Sequence, residues 1–377
     1  MSGDEVRVQA EKNETTVSET SVIISSRTLR DRTMEALLPP LVALLVSIVA
    51  GDLLILAVGQ SPGAVYRLML EGTWGNAYGF GQVLYKTTTL ICTGLAVAIG
   101  LRAGLFNIGA EGQLAAGGLA AALVGLALPA GTAAIIAVPL CTVGALCAGG
   151  VVGFVPGVLR AKWGAHEVIT TIMLNFVVLA LLSWMISGRL RVPETLHTQA
   201  IHAGTLSRLS AWWAPFHGSA ANGSIAIVLC ATIALDWYLF RTRGGFELRA
   251  VGLQPDAAEN AGVDVGRTWI RALTISGALA GLGGINFVLG YEHYYEEGFA
   301  TGAGFLGIAV ALVGRSNPFG IVLAALFFAT LSQGGLAINA LVPKQMVDAL
   351  QGVVILAMAA SVPEVRRLLA LSRKGTR

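Results

Sequence analysis

Ten apolar runs of membrane-spanning length recur along the 377 residues of this chain, at approximately 36–58, 84–101, 106–128, 132–158, 167–188, 222–240, 272–290, 303–314, 317–334 and 345–362. A helix needs about 20 apolar residues to cross the hydrocarbon layer. Backbone in lipid must satisfy its own hydrogen bonds, so these runs are expected to be helices. Composition agrees. Residues of the AVILMFWYC set make up 55% of the chain and charged residues 12%, against about 25% charged in soluble domains. So few charges cannot cover a water-soluble globule. The expected fold class is all-α, a polytopic membrane bundle of about ten helices. Runs 84–101 and 303–314 are short and border glycine-rich sequence. A broken or re-entrant segment is an expectation for both.

Three regions follow: a polar, disordered N-terminal tail at 1–33, a transmembrane domain at 34–365, and a basic C-terminal tail at 366–377. The first apolar run is too long for a signal peptide and lacks a cleavage pattern. With ten spans threaded from a cytoplasmic N-terminus, only Arg67, Lys86, Arg189, Arg191, Arg208 and Lys344 fall outside, leaving 19 of the 25 Lys and Arg inside. That asymmetry places both termini in the cytoplasm. The net charge of +3 is too small to suggest a nucleic-acid partner. Cys92, Cys141, Cys147 and Cys230 lie in apolar stretches as small hydrophobes, and the histidines lack metal-ligand spacing.

Glycines at 149, 153 and 157, and at 277 and 281, repeat every four residues. Small residues at this spacing allow close helix approach in lipid. Trp237, Tyr238 and Phe240, with Tyr291, Tyr294 and Tyr295 opposite, read as interface aromatics. Asp236 is expected to neutralise Arg243.

Polar residues inside spans are costly and are often functional. Asn107, Glu111 and Gln113 share one such cluster, where Asn107 can cap a helix. Glycines 104, 109 and 112 around them can break or bend the backbone. Glu167, Thr171 and Asn175 fall at i, i+4 and i+8, one polar stripe on an apolar rod that must face the bundle interior. Structural hydrogen bonding and a solute path both fit these two clusters. In the inner loop 241–271, Pro255 can open a short helix and Gly262 can close it. No phosphate-binding loop is present, because none of the five lysines follows a glycine, and no catalytic constellation stands out. The chain is therefore expected to carry no ATPase or catalytic site of its own.

Phe106–Gln113, FNIGAEGQ, resembles the hallmark of ABC-importer permeases for branched-chain amino acids, simple sugars and nucleosides. EVITTIMLNF at 167–176 and GFLGIAVALVGRSNPFG at 304–320 look most like the nucleoside branch. VGLQPDAAENAGV at 251–263 is similar to the family's ATPase-coupling segment. Gln254 and His166 depart from the pattern, standing where asparagine is expected. The resemblance implies a type II importer fold, with Gly252, Gln254, Pro255, Ala257, Ala258, Glu259, Gly262 and Val263 receiving the ATPase stroke. It implies that Asn107, Glu111 and Gln113 border the translocation path, with Thr171 and Asn175 beside them. It also implies cytoplasmic ATPase subunits that bind ATP and magnesium, a second permease subunit, identical or homologous, and an extracytoplasmic solute-binding protein. Location would be the bacterial cytoplasmic membrane. Ribose or another simple sugar, or a branched-chain amino acid, is the alternative cargo. A secondary transporter driven by an ion gradient is the alternative class.

Overall fold

The computed structural model of the protein describes residues 45–343 and 345–357. Both tails, and the far parts of runs 36–58 and 345–362, lie outside the described residues. A main body covers Asp52–Gln351, and a second unit contributes described residues 45–51 and 352–357.

The described elements are helical. They are α1 Leu45–Ala57, α2 Pro62–Thr73, α3 Ala77–Arg102, α4 Ala110–Ala127, α5 Ala134–Trp163, α6 Glu167–Met185, α7 Ser224–Arg241, α8 Arg243–Leu253, α9 Pro255–Asn260, α10 Val265–Leu282, α11 Gly284–Val288, α12 Ala303–Val313, α13 Pro318–Ala337 and α14 Gln345–Ala357. Among the described residues seven helices are long and apolar enough to cross a membrane, or eight if α1 and α2, bent by 109°, form one broken span. The count of ten therefore holds only approximately. At 11 residues, α12 is about 16 Å long, half of a bilayer's hydrocarbon thickness. Helix α2 was not expected at all, because Arg67 and Glu71 interrupt its apolar pattern; they pair with each other at 2.8 Å.

Ahead of run 84–101, Tyr78 and Gln82 interrupt the apolar pattern. Its helix in fact starts at Ala77, where the Asn76 side chain accepts a hydrogen bond from Gly79 N at 2.6 Å. Run 106–128 is helical only from Ala110. Run 272–290 starts earlier, at Val265, where Asp264 accepts from Arg267 N at 2.9 Å. Asp236 does not serve Arg243. Thr242 interrupts the helix between them, and Arg243 pairs with Glu247 at 2.8 Å, four residues along α8.

Burial explains the unbroken hydrophobicity. On α6 the buried positions are Glu167, Thr171, Asn175, Val178 and Leu182, a single face. Ile169, Met173, Phe176 and Trp184 on the other faces are exposed, as a lipid-facing surface would be. α5 buries its small residues, Ala145, Gly149, Gly153 and Gly157 among them, and exposes Val151 and Phe154. It packs along α10, whose Gly277 and Gly281 meet Gly149 and Gly153 backbone to backbone.

The main body has two ends. Arg102 lies over the Phe240 ring at 5.7 Å and donates to the Ser316 carbonyl at 3.1 Å. Arg160 lies over Trp269 at 4.9 Å. These contacts gather at one end the loops threaded inside. At the other end, segment 196–206 pairs with 289–297 through Thr198 N to Tyr295 O, Ile201 N to His293 O and Leu206 N to Leu289 O, at 2.7–2.9 Å.

His293 supplies a pH test of that far end. Burial, and then the Arg208 guanidinium, pull its imidazole below the ordinary value of 6.5. The folded chain thus favours neutral His293, and its stabilising contribution is complete above pH 6.5 and lost as pH falls through the lowered value. Amide protection factors over residues 196–206, taken relative to the intrinsic exchange rate at each pH, are expected to fall as pH drops below 6.5. His293→Phe is expected to flatten that dependence.

Candidate functional site

Residues Leu105–Ile108 between α3 and α4 are irregular, not helical. Their buried backbone groups need partners from outside a helix ladder. The polar stripe of α6 supplies them. Thr171 Oγ1 accepts from Ile108 N at 3.2 Å. Asn175 Nδ2 donates to Ile108 O at 2.9 Å, and its Oδ1 accepts from Gly112 N at 2.8 Å. Stripe and broken segment thus form one joint. Glu167, at the start of the stripe, pairs with Arg160 at 3.5 Å.

Asn107 is fully buried and holds three elements together. Its Oδ1 accepts from Gly109 N at 2.8 Å, just before α4 begins. Its Nδ2 donates to Gln113 Oε1 at 2.8 Å and to Ser276 Oγ on α10 at 2.7 Å. Ser276 in turn donates to the Ala96 carbonyl of α3. Glu111, in the first turn of α4, accepts from Gly302 N at 3.0 Å. Gly304 packs against the backbone of Glu111 so closely that a methyl group there would lie 2.6 Å from Glu111 Cβ. Of the three glycines expected to bend the chain, only Gly104 is left-handed, at φ +73°. Gly109 and Gly112 serve by their small size: a methyl group on Gly112 would sit 2.8 Å from Asn175 Oδ1.

Asn107→Leu would leave the Gln113 and Ser276 side chains short of a partner, at about 1–3 kcal/mol for each buried group so orphaned. The expected result is a lower unfolding temperature for the purified protein in detergent, with Asn107→Ser less affected than Asn107→Leu.

The inner segment forms the expected short helix. α9 opens at Pro255 and ends at Asn260, and Gly262 follows at φ +84° with Val263 N bonded to Ala258 O at 3.0 Å. Gln254, Pro255, Ala257, Glu259 and Gly262 are exposed, Gly252 and Val263 half-buried and Ala258 buried. Gly252, ending α8, abuts the backbone of Arg102 and Ala103. A methyl group on it would overlap the Arg102 carbonyl oxygen, and one on Gly104 would lie 3.3 Å from Gly252 Cα. The exposed segment is thus in backbone contact, through Gly252, with the turn that leads to Asn107.

Sequence reasoning missed Ser276 and Gly302, partners of Asn107 and Glu111. Ser276 was detectable as a polar residue in an apolar run. Gly302 acts through its backbone N–H and leaves no side-chain signal. A second buried network was also missed: Asn286 Oδ1 accepts from Asn222 at 3.0 Å and from Ser224 at 2.9 Å, and its Nδ2 donates to Thr89 at 2.9 Å.

A many-helix apolar bundle whose buried, irregular segment between α3 and α4 is held by side-chain amides, with the end of α8 abutting it, fits a membrane transport protein. Residues 79–359 match the family model described as branched-chain amino acid transport system / permease component, and the chain belongs to that family. It is 38% identical over 333 residues to the guanosine ABC transporter permease protein NupP of Bacillus subtilis, covering 86% of this chain and 93% of the relative. It is 34% identical to the nucleoside ABC transporter permease protein NupB of Lactococcus lactis, covering 85% and 90%. It is 33% identical to the glucose ABC transporter permease protein TsgB13 of Haloferax volcanii, covering 85% and 87%. No solved structure matches the chain.

Proposed function

We propose that this chain is the membrane subunit of an ATP-driven nucleoside importer. The observation that carries the reading is the 38% identity, over nearly the whole of both chains, to a guanosine permease. Cytoplasmic ATPase subunits bind ATP and magnesium and act on residues 252–263. A second permease subunit completes the channel, and an extracytoplasmic solute-binding protein delivers the nucleoside. Asn107, Glu111 and Gln113 border the path, with Thr171 and Asn175 holding that border in shape. The protein resides in the bacterial cytoplasmic membrane, with both termini in the cytoplasm and the chain's exposed inner helix α9 on that side.

Force reaches the path by backbone contact. A push on α9 moves α8, and Gly252 transmits it to Arg102–Gly104 and so to Asn107 and the start of α4. The similar identity to a glucose permease supports a sugar as the second reading. Uptake of labelled guanosine, adenosine, ribose, glucose and leucine in cells lacking this chain separates the two. Loss confined to nucleosides is expected. Intact nucleoside uptake with lost sugar uptake would transfer the assignment to the sugar.

A further inference from the structure

At the end of the main body remote from α9, a cavity of about 520 Å³ opens between α2, α3 and α13. Helix α3 runs 26 residues from Asn76 at this cavity to Arg102 at the inner joint, about 39 Å. The cavity is therefore separate from the Asn107 cluster. Its volume falls in the range of small-molecule sites, about 300–1,000 Å³.

The lining has a definite chemistry. Tyr78, Tyr85 and Tyr291 contribute aromatic rings, those of Tyr85 and Tyr291 lying 5.2 Å apart at 53°. Gln82 and Gln333 contribute primary amides. Gln333 is nine-tenths buried, lines the cavity, and its amide has no hydrogen-bond partner among the described residues. The Gln82 amide also has none among the described residues. Lys86 lines the cavity and donates to Ser332 at 3.2 Å, and no carboxylate lines it among the described residues. An amide offers a donor and an acceptor side by side, the pair that matches a base edge. Tyrosine faces stack on flat rings of any base.

We propose that this cavity is a nucleobase-binding site on the permease itself, in which Gln333 and Gln82 read the base edge and the tyrosines stack against its face. The ligand class rests on the nucleoside reading above. The site would receive cargo at the remote end before it enters the bundle.

The test is equilibrium binding to the complete permease–ATPase complex in nanodiscs, without a solute-binding protein, using labelled guanosine, ribose and leucine. Saturable guanosine binding is expected, with ribose and leucine far weaker. Gln333→Leu and, at the less buried position, Gln82→Leu are each expected to weaken guanosine binding about tenfold without changing the elution profile of the complex. If one variant fails to assemble, the other decides. No saturable guanosine binding by the native complex, equal binding of ribose, or unchanged affinity in an assembled variant would overturn the proposal. Cellular uptake judges the cargo separately: a complex that imports sugar yet binds guanosine through Gln333 keeps this site and loses the nucleoside reading.

Discussion

Gly277→Leu is expected to leave little folded protein in the membrane. The Gly277 backbone faces that of Gly149 and Gly153, and even a methyl group would overlap the Gly149 carbonyl oxygen and lie 2.9 Å from Gly153 Cα and N. The obstacle is helix backbone, which cannot swing aside as a side chain can. α5 and α10 must therefore move apart along the whole seam, where Gly281 and Gly153 make the same approach. In lipid, close packing supplies much of the helix association, because the bilayer is as apolar as the helices. Overpacking a well-filled core costs about 1–3 kcal/mol and sometimes more, and leucine at this seam belongs at the upper end. Membrane abundance and unfolding temperature in detergent are the measurements, with Gly277→Ala expected between the native chain and Gly277→Leu.

Gly252→Val is expected to sever transport from ATP hydrolysis. Valine there cannot coexist with the present contact between α8 and the Arg102 carbonyl. The end of α8 must lift from Arg102–Gly104, the link between the exposed helix and the Asn107 joint. Coupling between sites in proteins is commonly worth about 5–150-fold, so uptake is expected to fall about tenfold or more. ATPase activity should persist while losing its dependence on cargo. Gly262→Val is the companion variant. A side chain there meets open space, but φ of +84° is strained for it, at about 1–2 kcal/mol. Lowered transport with normal membrane insertion is expected, from distortion of one exposed turn. Full coupled uptake in both variants would remove residues 252–263 from the power stroke.

These two sites differ in how much of them the sequence displays. The glycine seam is legible, because its four-residue spacing matches one helix face. The polar stripe of α6 is legible for the same reason, and its buried face is the one that periodicity assigns. What it touches is not legible. Asn175 bonds the backbone of Ile108 and Gly112, more than 60 positions away, and backbone partners carry no residue signature. The break before Ala110 was readable from Asn107 and the flanking glycines, although Phe106 and Ile108 extend the apolar run through it. The contact of Gly252 with Arg102 is tertiary: two loops meet there, and neither encodes the other. The short helix at 255–260 was readable from Pro255 and Gly262 alone, since its signals are local.

The central claim is a conduit that moves nucleosides with power drawn from a neighbouring ATPase. Accumulation of labelled guanosine in proteoliposomes tests it most directly, with this chain, its partner permease, the ATPase subunits and the solute-binding protein present in defined combinations. Guanosine should accumulate only when ATP is supplied on the ATPase side, and not when the ATPase subunits are omitted. Accumulation without the ATPase, driven by an imposed ion gradient, would contradict the account.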